Sequence, residues 1–135
     1  DTVNAPGLGY VASFTPQGQL IRNFEHNAWL NGPWGLVQAP SDFGAFSHTL
    51  LVGNFGSGQV ISYNLETGMA NGLMLDASGN PIAIDGLWGL SFGAGDSKSG
   101  PANTLYFTAG TYDENDGLFG TLTAASSDLT LGNGN

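Results

Sequence analysis

Short apolar or alternating runs follow one another along the chain, each closed by Gly, Pro, Asn or Asp after roughly eight to twelve residues. Residues 9–14 and 19–24 flank a tight Pro-Gly turn, which predicts a β-hairpin. Residues 59–63 and 69–75 flank a turn at 64–68, which begins with Asn and ends with Gly, and they predict a second hairpin. No segment has a convincing helical period, so the pattern predicts an all-β chain.

Two sequence elements return at nearly the same spacing, which indicates a structural repeat. The segment GPWGL at 32–36 returns as GLWGL at 86–90, and the offset of the two Trp residues is 88 − 34 = 54. The segment TLLVG at 49–53 returns as TLYFT at 104–108, with an offset of 104 − 49 = 55. A short Gly-x-Val or Gly-x-Phe element also recurs. Four short strands in roughly 50 residues are typical of a β-propeller blade.

The repeat predicts a β-propeller segment of about two and a half four-stranded blades. A partial blade covers residues 1–31, a full blade covers 32–85, and a second partial blade covers 86–123, before a polar C-terminal tail at 124–135. Closed propellers typically have about four to eight blades. We therefore expect either a piece of a longer chain or a homo-oligomer that closes or extends the array. A compact β-sandwich is the alternative fold.

Composition narrows the classes of partner. The 135 residues contain two basic residues against eleven acidic ones, and the net charge is -9. Nucleic-acid binding is excluded because it needs many cationic contacts to phosphate, and a polybasic membrane surface is excluded for the same reason. No apolar run approaches the roughly 18 residues of a membrane-spanning helix, so we expect no membrane insertion.

The remaining composition indicates a folded, turn-rich protein outside the cytoplasm. Gly accounts for 22 residues and hydrophobic residues for 41%, which is too apolar for a disordered chain. The absence of Cys excludes disulfides, thiolate metal sites and a cysteine nucleophile. The scarcity of basic residues, with many Gly, Asn, Ser and Thr, predicts an extracellular or cell-surface location.

Six longer motifs, together with Glu114, carry a likeness to known proteins; they lie at 32–36, 43–46, 50–56, 84–90, 103–110 and 117–120. In these motifs the chain resembles a family of secreted bacterial proteins of unassigned function. The resemblance implies a six-bladed propeller of the NHL type and a secreted location, but no activity. Family members are typically more than twice this length and often end in an exosortase sorting signal. The chain resembles their C-terminal portion without that signal.

An acidic loop is the strongest polar feature of the sequence. Asp113, Glu114, Asn115 and Asp116 present four oxygen-bearing side chains in succession, before a Gly. Such a loop can wrap Ca²⁺, which takes roughly six to eight oxygen ligands, although the spacing is not that of an EF-hand. We therefore predict these four residues as a calcium site, with a solvated turn as the alternative. The turn at 76–80 has a similar composition.

Aromatic residues offer a second kind of site, because sugar rings stack on aromatic faces. Trp34 and Trp88 occupy the same position in the repeat, so we expect them to pack as core between blades. Trp29 lies outside the repeated motif and is the better candidate for a surface contact.

Propellers bind ligands with the loops and inner strand ends around their central channel. Asn54 and Asp85 lie at such junctions. With Trp29 and Tyr112 they complete the predicted ligand-binding residues, and the expected partner is a carbohydrate or a cell-surface protein.

These observations predict a secreted binding or interaction scaffold with a structural calcium ion. Enzymatic activity is not favoured, since no G-x-S-x-G motif or comparable nucleophilic arrangement is present. The first alternative is an extracellular hydrolase or lactonase-like enzyme that acts on a polysaccharide or lactone through a carboxylate-held metal. The second is a structural protein that assembles edge to edge into a ring or fibre.

Overall fold

A computed structural model describes residues 3–125, and within them nine strands account for nearly all the regular structure. The strands are β1 (Ala12–Phe14), β2 (Leu20–Asn23), β3 (Pro33–Gln38), β4 (Leu50–Asn54), β5 (Val60–Tyr63), β6 (Ala70–Leu73), β7 (Leu87–Phe92), β8 (Leu105–Gly110) and β9 (Asp116–Leu122). A 3-10 helix at Gly44–Phe46 and a single turn, α1, at Thr111–Glu114 are the helical elements of this part of the chain. The prediction of an all-β chain is confirmed.

The strands form three antiparallel sheets, in which each strand pairs with its neighbour in sequence. The first sheet is β1-β2, the second is β3-β4-β5-β6 and the third is β7-β8-β9, and none of them closes on itself. Strand counts of two, four and three are those that the sequence repeat predicts. Most of the predicted polar tail lies outside the described residues.

The second and third sheets share the same strand register. In each sheet the first two strands pair at one position, shift by a bulge, and then pair regularly. The matching pairs are Pro33–Asn54 with Leu87–Ala109, and Leu36–Val52 with Leu90–Phe107. In both pairs the β3 and β7 residues differ by 54 positions and the β4 and β8 residues by 55, which are the two offsets found in the sequence. The sequence period is therefore also the period of the fold.

The entry to each first strand repeats as well. Gly32 and Gly86 have left-handed φ angles of 65° and 66°, which glycine adopts without a Cβ penalty. The carbonyl of Gly32 accepts a hydrogen bond from the N–H of Phe55, and the carbonyl of Gly86 accepts one from the N–H of Gly110, each at 2.9 Å. These bonds fix the start of each first strand against the end of the second strand.

The second and third sheets pack through their first strands, β3 and β7. A Cβ placed on Gly35 would lie 2.6 Å from the carbonyl oxygen of Trp88 and 3.1 Å from the amide nitrogen of Leu90, so only glycine permits this approach. Fully buried side chains fill the space around the contact, among them Leu51, Val60, Leu87 and Leu105. Close backbone approach and apolar burial together hold these two sheets.

The first sheet packs on the second through a separate core. The rings of Phe24 and Tyr63 meet edge to face there, with centroids 5.5 Å apart. The Tyr63 hydroxyl donates a hydrogen bond to the carbonyl of Glu25 at 3.0 Å, and the Glu25 carboxylate accepts one from the N–H of Ala70 at 2.7 Å. Burial raises the pKa of Tyr63, so its hydroxyl stays a donor.

Some predicted strands are shorter than expected. The strand predicted at 9–14 begins only at Ala12, because Leu8 forms an isolated parallel bridge with Asn31 and Gly9 has a φ of 121°. The strand predicted at 69–75 reduces to β6, since Gly68, at a φ of 76°, still belongs to the preceding turn. Local turn chemistry sets both boundaries.

Candidate binding site

An aromatic cluster, defined by Trp34, Phe55 and Trp88, lies where the first strands of two sheets meet. Trp34 and Trp88 are the second residues of β3 and β7, and their rings meet edge to face with centroids 4.5 Å apart at 78°. Phe55 directly follows β4, and its ring centroid lies 4.4 Å from that of Trp88. Trp34 is 54% exposed, so the cluster presents an aromatic surface to solvent.

The repeat itself assembles this cluster. Trp34 and Trp88 hold equivalent positions, and the close approach of β3 to β7 brings equivalent positions of neighbouring sheets together. A Cβ on Gly110 would lie 3.3 Å from the Trp88 indole nitrogen, so that ring is bounded by Phe55 and by the Gly110 backbone. The expectation that Trp34 is interior core is therefore wrong: it packs on Trp88 but stays half exposed.

Polar groups border the cluster on the side of the third sheet. The Asp85 carboxylate accepts a hydrogen bond from the N–H of Tyr112 at 2.9 Å, and the Tyr112 side chain is 74% exposed. A Cβ on Gly110 would also lie 3.1 Å from Cγ of Glu114, which places that side chain beside the same backbone as the Trp88 indole. The structure thus brings the predicted residues Asp85 and Tyr112 together.

The turn that carries Tyr112 is conformationally unusual. Tyr112, Asp113 and Glu114 have φ angles of 53°, 53° and 63°, all in the left-handed region. Each such residue costs on the order of 1 kcal/mol, so neighbouring contacts must hold the turn in place. The hydrogen bond from Tyr112 to Asp85 and the bridge between Thr111 and Asp116 are two such contacts.

The predicted calcium loop has a structural hydrogen bond within it. The Asn115 side-chain amide donates to the carbonyl oxygen of Tyr112 at 2.6 Å, while Asp113, Glu114, Asn115 and Asp116 are all exposed. Within residues 3–125, no three His, Cys, Asp or Glu side chains form a group that could hold a metal ion. Calcium binding by this loop stays a prediction.

The similar turn at 76–80 is organised by its own aspartate. The Asp76 carboxylate accepts hydrogen bonds from the N–H groups of Ser78 at 2.8 Å and of Asn80 at 3.0 Å. The bond from the Asn80 backbone is the main cause that lowers the pKa of Asp76. Asp76 therefore caps its own turn, as aspartates in tight turns commonly do.

Asn54 has a structural position in the second sheet. Its side chain is fully buried, its Oδ1 accepts the N–H of Asn31 at 2.8 Å, and its Nδ2 donates to the carbonyl of Gln59 at 3.1 Å. Both polar ends of the amide are occupied by the main chain. Asn54 holds the loop ends together beneath the surface, directly before Phe55 of the aromatic cluster.

Asn31 was missed by sequence reasoning. Asn31 directly precedes Gly32, and Asp85 directly precedes Gly86. Asn31 and Asp85 are therefore at equivalent positions of the repeat. Its Oδ1 is buried and has no hydrogen-bond partner within the described part of the chain, whereas the Asp85 carboxylate bonds to Tyr112. Extending the repeat by one position before each of these glycines would have identified it.

Trp29 lies outside the aromatic cluster. Its main-chain N–H donates to Oδ1 of Asn27 at 2.9 Å within a turn, and its side chain is 40% exposed. Of the four predicted ligand-binding residues, Asp85 and Tyr112 are in contact, Asn54 is buried in the second sheet, and Trp29 is separate.

A polar cleft of about 660 Å³ lies at the opposite end of the second sheet from Trp34. It is lined by Gln38, Ala45, Ser47, His48, Thr49, Asn64, Leu65, Glu66 and Asn71. The volume is in the range of small-molecule sites, but such sites are usually lined by apolar and aromatic side chains. The aromatic cluster matches that chemistry better than the cleft does.

Within the described residues, no helix has the length and hydropathy needed to cross a membrane.

Comparison with known proteins finds similarity to three proteins of Acanthamoeba polyphaga mimivirus. Uncharacterized protein L690 is 35% identical over 120 residues, which cover 89% of this chain and 30% of the relative. Uncharacterized protein R648 is 35% identical over 120 residues, or 28% of its length. Uncharacterized protein R640 is 36% identical over 103 residues, or 18% of its length. The chain thus spans less than a third of these relatives.

No protein-family model matches the chain, and no solved structure matches it significantly.

Proposed function

We propose that the chain is a β-propeller segment that serves as an extracellular binding scaffold, and that its aromatic cluster contacts carbohydrate. The observation that carries the proposal is the exposed Trp34 ring, which Trp88 holds edge to face at 4.5 Å. A flat aromatic face fixed by packing on a sheet loses little conformational entropy on binding, and aromatic faces are suited to the apolar faces of sugar rings.

Three features support a propeller over a two-sheet sandwich. The sheets are sequential antiparallel meanders, there are three of them in the described part of the chain, and two share the same register and bulge. Their first strands lie side by side without joining into one sheet, as the inner strands of neighbouring blades do. The mimivirus relatives extend well beyond their matched segments, which leaves room for further sheets in those proteins. The likeness to six-bladed NHL-type proteins stays a prediction.

The polar border of the cluster supports carbohydrate as the ligand class. Sugar sites combine an aromatic platform with hydroxyl, carboxylate or amide groups that orient the ring. The Asp85 carboxylate accepts the N–H of Tyr112, whose side chain is exposed. Glu114, in the same turn, lies beside Gly110 at the end of β8, next to the Trp88 indole. The extracellular location rests on composition alone.

The test is a titration of the intact chain with a panel of soluble oligosaccharides, read by tryptophan fluorescence and calorimetry. We expect at least one class to bind and Trp34→Ala to weaken it about tenfold, or about 1.4 kcal/mol, in the range of one aromatic contact. Trp29→Ala is the matched control, since Trp29 is also partly exposed, at 40%, but lies outside the cluster.

Two results would contradict the proposal. Either no oligosaccharide binds, or binding persists in Trp34→Ala and is lost in Trp29→Ala. The second result would move the site to the connector between β2 and β3.

A further inference from the structure

A carboxylate side chain lies beside the Trp88 ring at the end of β8. A Cβ on Gly110 would lie 3.1 Å from Cγ of Glu114 and 3.3 Å from the Trp88 indole nitrogen. The Glu114 side chain and the edge of the indole are therefore close neighbours over the same glycine. Glu114 is exposed, so its carboxylate is accessible to a ligand that contacts the aromatic cluster.

Asp85 places a second carboxylate at the same backbone. It is exposed and directly precedes Gly86, whose carbonyl accepts the N–H of Gly110 at 2.9 Å. Its Oδ2 accepts the N–H of Tyr112 at 2.9 Å, and this bond helps to hold the turn that carries Glu114. Asp85 and Glu114 thus form an acidic border at this end of the aromatic cluster.

Both basic residues of the chain lie away from the acidic border. Arg22 is on β2 of the first sheet, where a Cβ on Gly68 would lie 2.9 Å from its Cδ. Lys98 is in the loop between β7 and β8, at the opposite end of the third sheet from Gly110. An anionic ligand at the cluster would therefore be repelled, whereas a cationic one would be attracted.

The aromatic rings favour the same kind of ligand. A cation near the face of an aromatic ring is attracted by the ring quadrupole, and Trp gives the strongest such interaction. Trp34 is 54% exposed, and its ring meets that of Trp88 edge to face at 4.5 Å. A sugar ring with an ammonium group can therefore stack on this cluster and direct the positive charge toward Glu114.

We propose that the carbohydrate bound at the aromatic cluster is an amino sugar whose unsubstituted amine is protonated, and that Glu114 pairs with this ammonium group. The inference rests on the proposed function and narrows its ligand class. Uronic acids and sulfated sugars are disfavoured, because their anionic groups would face the acidic border. Neutral sugars have the stacking contact but no ionic one.

Three series of β-1,4-linked oligosaccharides test the inference, because they differ only in the group at carbon 2 of each ring. Glucose oligomers carry a hydroxyl there, glucosamine oligomers an ammonium group and N-acetylglucosamine oligomers a neutral amide. Calorimetric titration at about pH 6 keeps the amine protonated, and a chelator removes divalent cations. We expect glucosamine oligomers to bind about threefold to tenfold more tightly than either neutral series, and added salt to reduce this preference.

Substitution of Glu114 locates the preference. Glu114→Gln should weaken the binding of glucosamine oligomers about threefold and leave that of glucose oligomers unchanged. Glu66→Gln is the matched control, since it removes the same charge from an exposed residue at the polar cleft, and it should change neither affinity. If the urea midpoint of Glu114→Gln differs from that of wild type, Glu114→Asn repeats the test, because Asn tolerates the left-handed backbone at this position.

The outcomes separate the inference from the proposed function. If any neutral or acidic oligosaccharide binds as tightly as the glucosamine oligomers, the preference for an amino sugar is wrong, although carbohydrate binding stands. If no oligosaccharide binds, both proposals are wrong. Equal losses of affinity in Glu114→Gln and Glu66→Gln would mean that the overall negative charge attracts the ligand, which overturns the role of Glu114.

Discussion

Replacing Gly35 with Ala tests the close packing of the second and third sheets. The added Cβ would lie 2.6 Å from the Trp88 carbonyl oxygen, although real Cβ contacts essentially never fall below 3.0 Å. The two strands must then separate by at least the difference between these two distances. Gly35 has no left-handed φ, so Ala adopts the backbone conformation without strain and the effect comes from packing alone.

The expected loss in the free energy of unfolding follows from the core contacts that the separation of β3 and β7 weakens. Leu51 and Leu87, both fully buried, lie in the core that this contact closes, and dispersion contacts weaken steeply with a gap of about half an ångström. Overpacking of this kind typically costs about 1–3 kcal/mol, and the lower entropy of the unfolded Ala chain offsets about 0.4–1 kcal/mol. We expect a net loss of about 1–2 kcal/mol in the free energy of unfolding.

Urea unfolding followed by tryptophan fluorescence measures this loss at low protein concentration. Gly89→Ala is the matched control, because it is the same position of the next repeat and its Cβ would meet only the surface side chain of Thr108, at 3.0 Å. We expect that variant to stay within about 0.5 kcal/mol of wild type. Equal stabilities of the Gly35→Ala and Gly89→Ala variants would refute the packing of β3 against β7.

Three further predictions concern buried and titrating groups. Asn54→Ala should cost about 1–3 kcal/mol in urea unfolding, because the N–H of Asn31 loses its hydrogen-bond partner, whereas the Gln59 carbonyl keeps the backbone N–H of residue 54. Tyr63→Phe should cost about 1 kcal/mol at neutral pH by removing the bond to the Glu25 carbonyl. It should also remove a loss of stability at alkaline pH: burial raises the Tyr63 pKa, so its contribution is complete below about pH 10 and is lost as pH rises through the folded value. The Ser99 hydroxyl lowers the pKa of Asp96, so the Asp96 contribution is present above its unfolded pKa of 3.8 and is lost as pH falls through the folded value. Urea midpoints of Asp96→Asn should therefore fall less steeply on acidification than those of wild type, and parallel slopes would contradict this.

The repeat made much of the fold predictable from sequence. Segments that share Trp-Gly-Leu must meet the same packing demands, so they form β3 and β7 with one register and one bulge. Gly32 and its equivalent Gly86 both have a left-handed φ angle directly before the first strand of their sheet. Apolar period and turn residues are local signals, and they place strands well.

The candidate site was harder to predict, because residues at equivalent positions of the repeat have different neighbouring side chains in the folded chain. The repeat assigns Trp34 and Trp88 the same environment, yet only Trp88 contacts Phe55 among the described aromatic pairs. Consecutive left-handed residues such as Tyr112 and Asp113 have no reliable sequence signal, since non-glycine residues rarely adopt that conformation. Burial of Asn54 likewise depends on long-range contacts that no local pattern encodes.

The aromatic cluster depends on β3 lying directly beside β7, and proton NMR tests this contact most directly. A Cβ on Gly35 would lie 3.1 Å from the Leu90 amide nitrogen, so a Gly35 Hα must be near the Leu90 amide proton. We expect a nuclear Overhauser effect between these two protons in the intact chain. Absence of that effect, with both resonances assigned and sharp, would contradict the packing on which the proposed site rests.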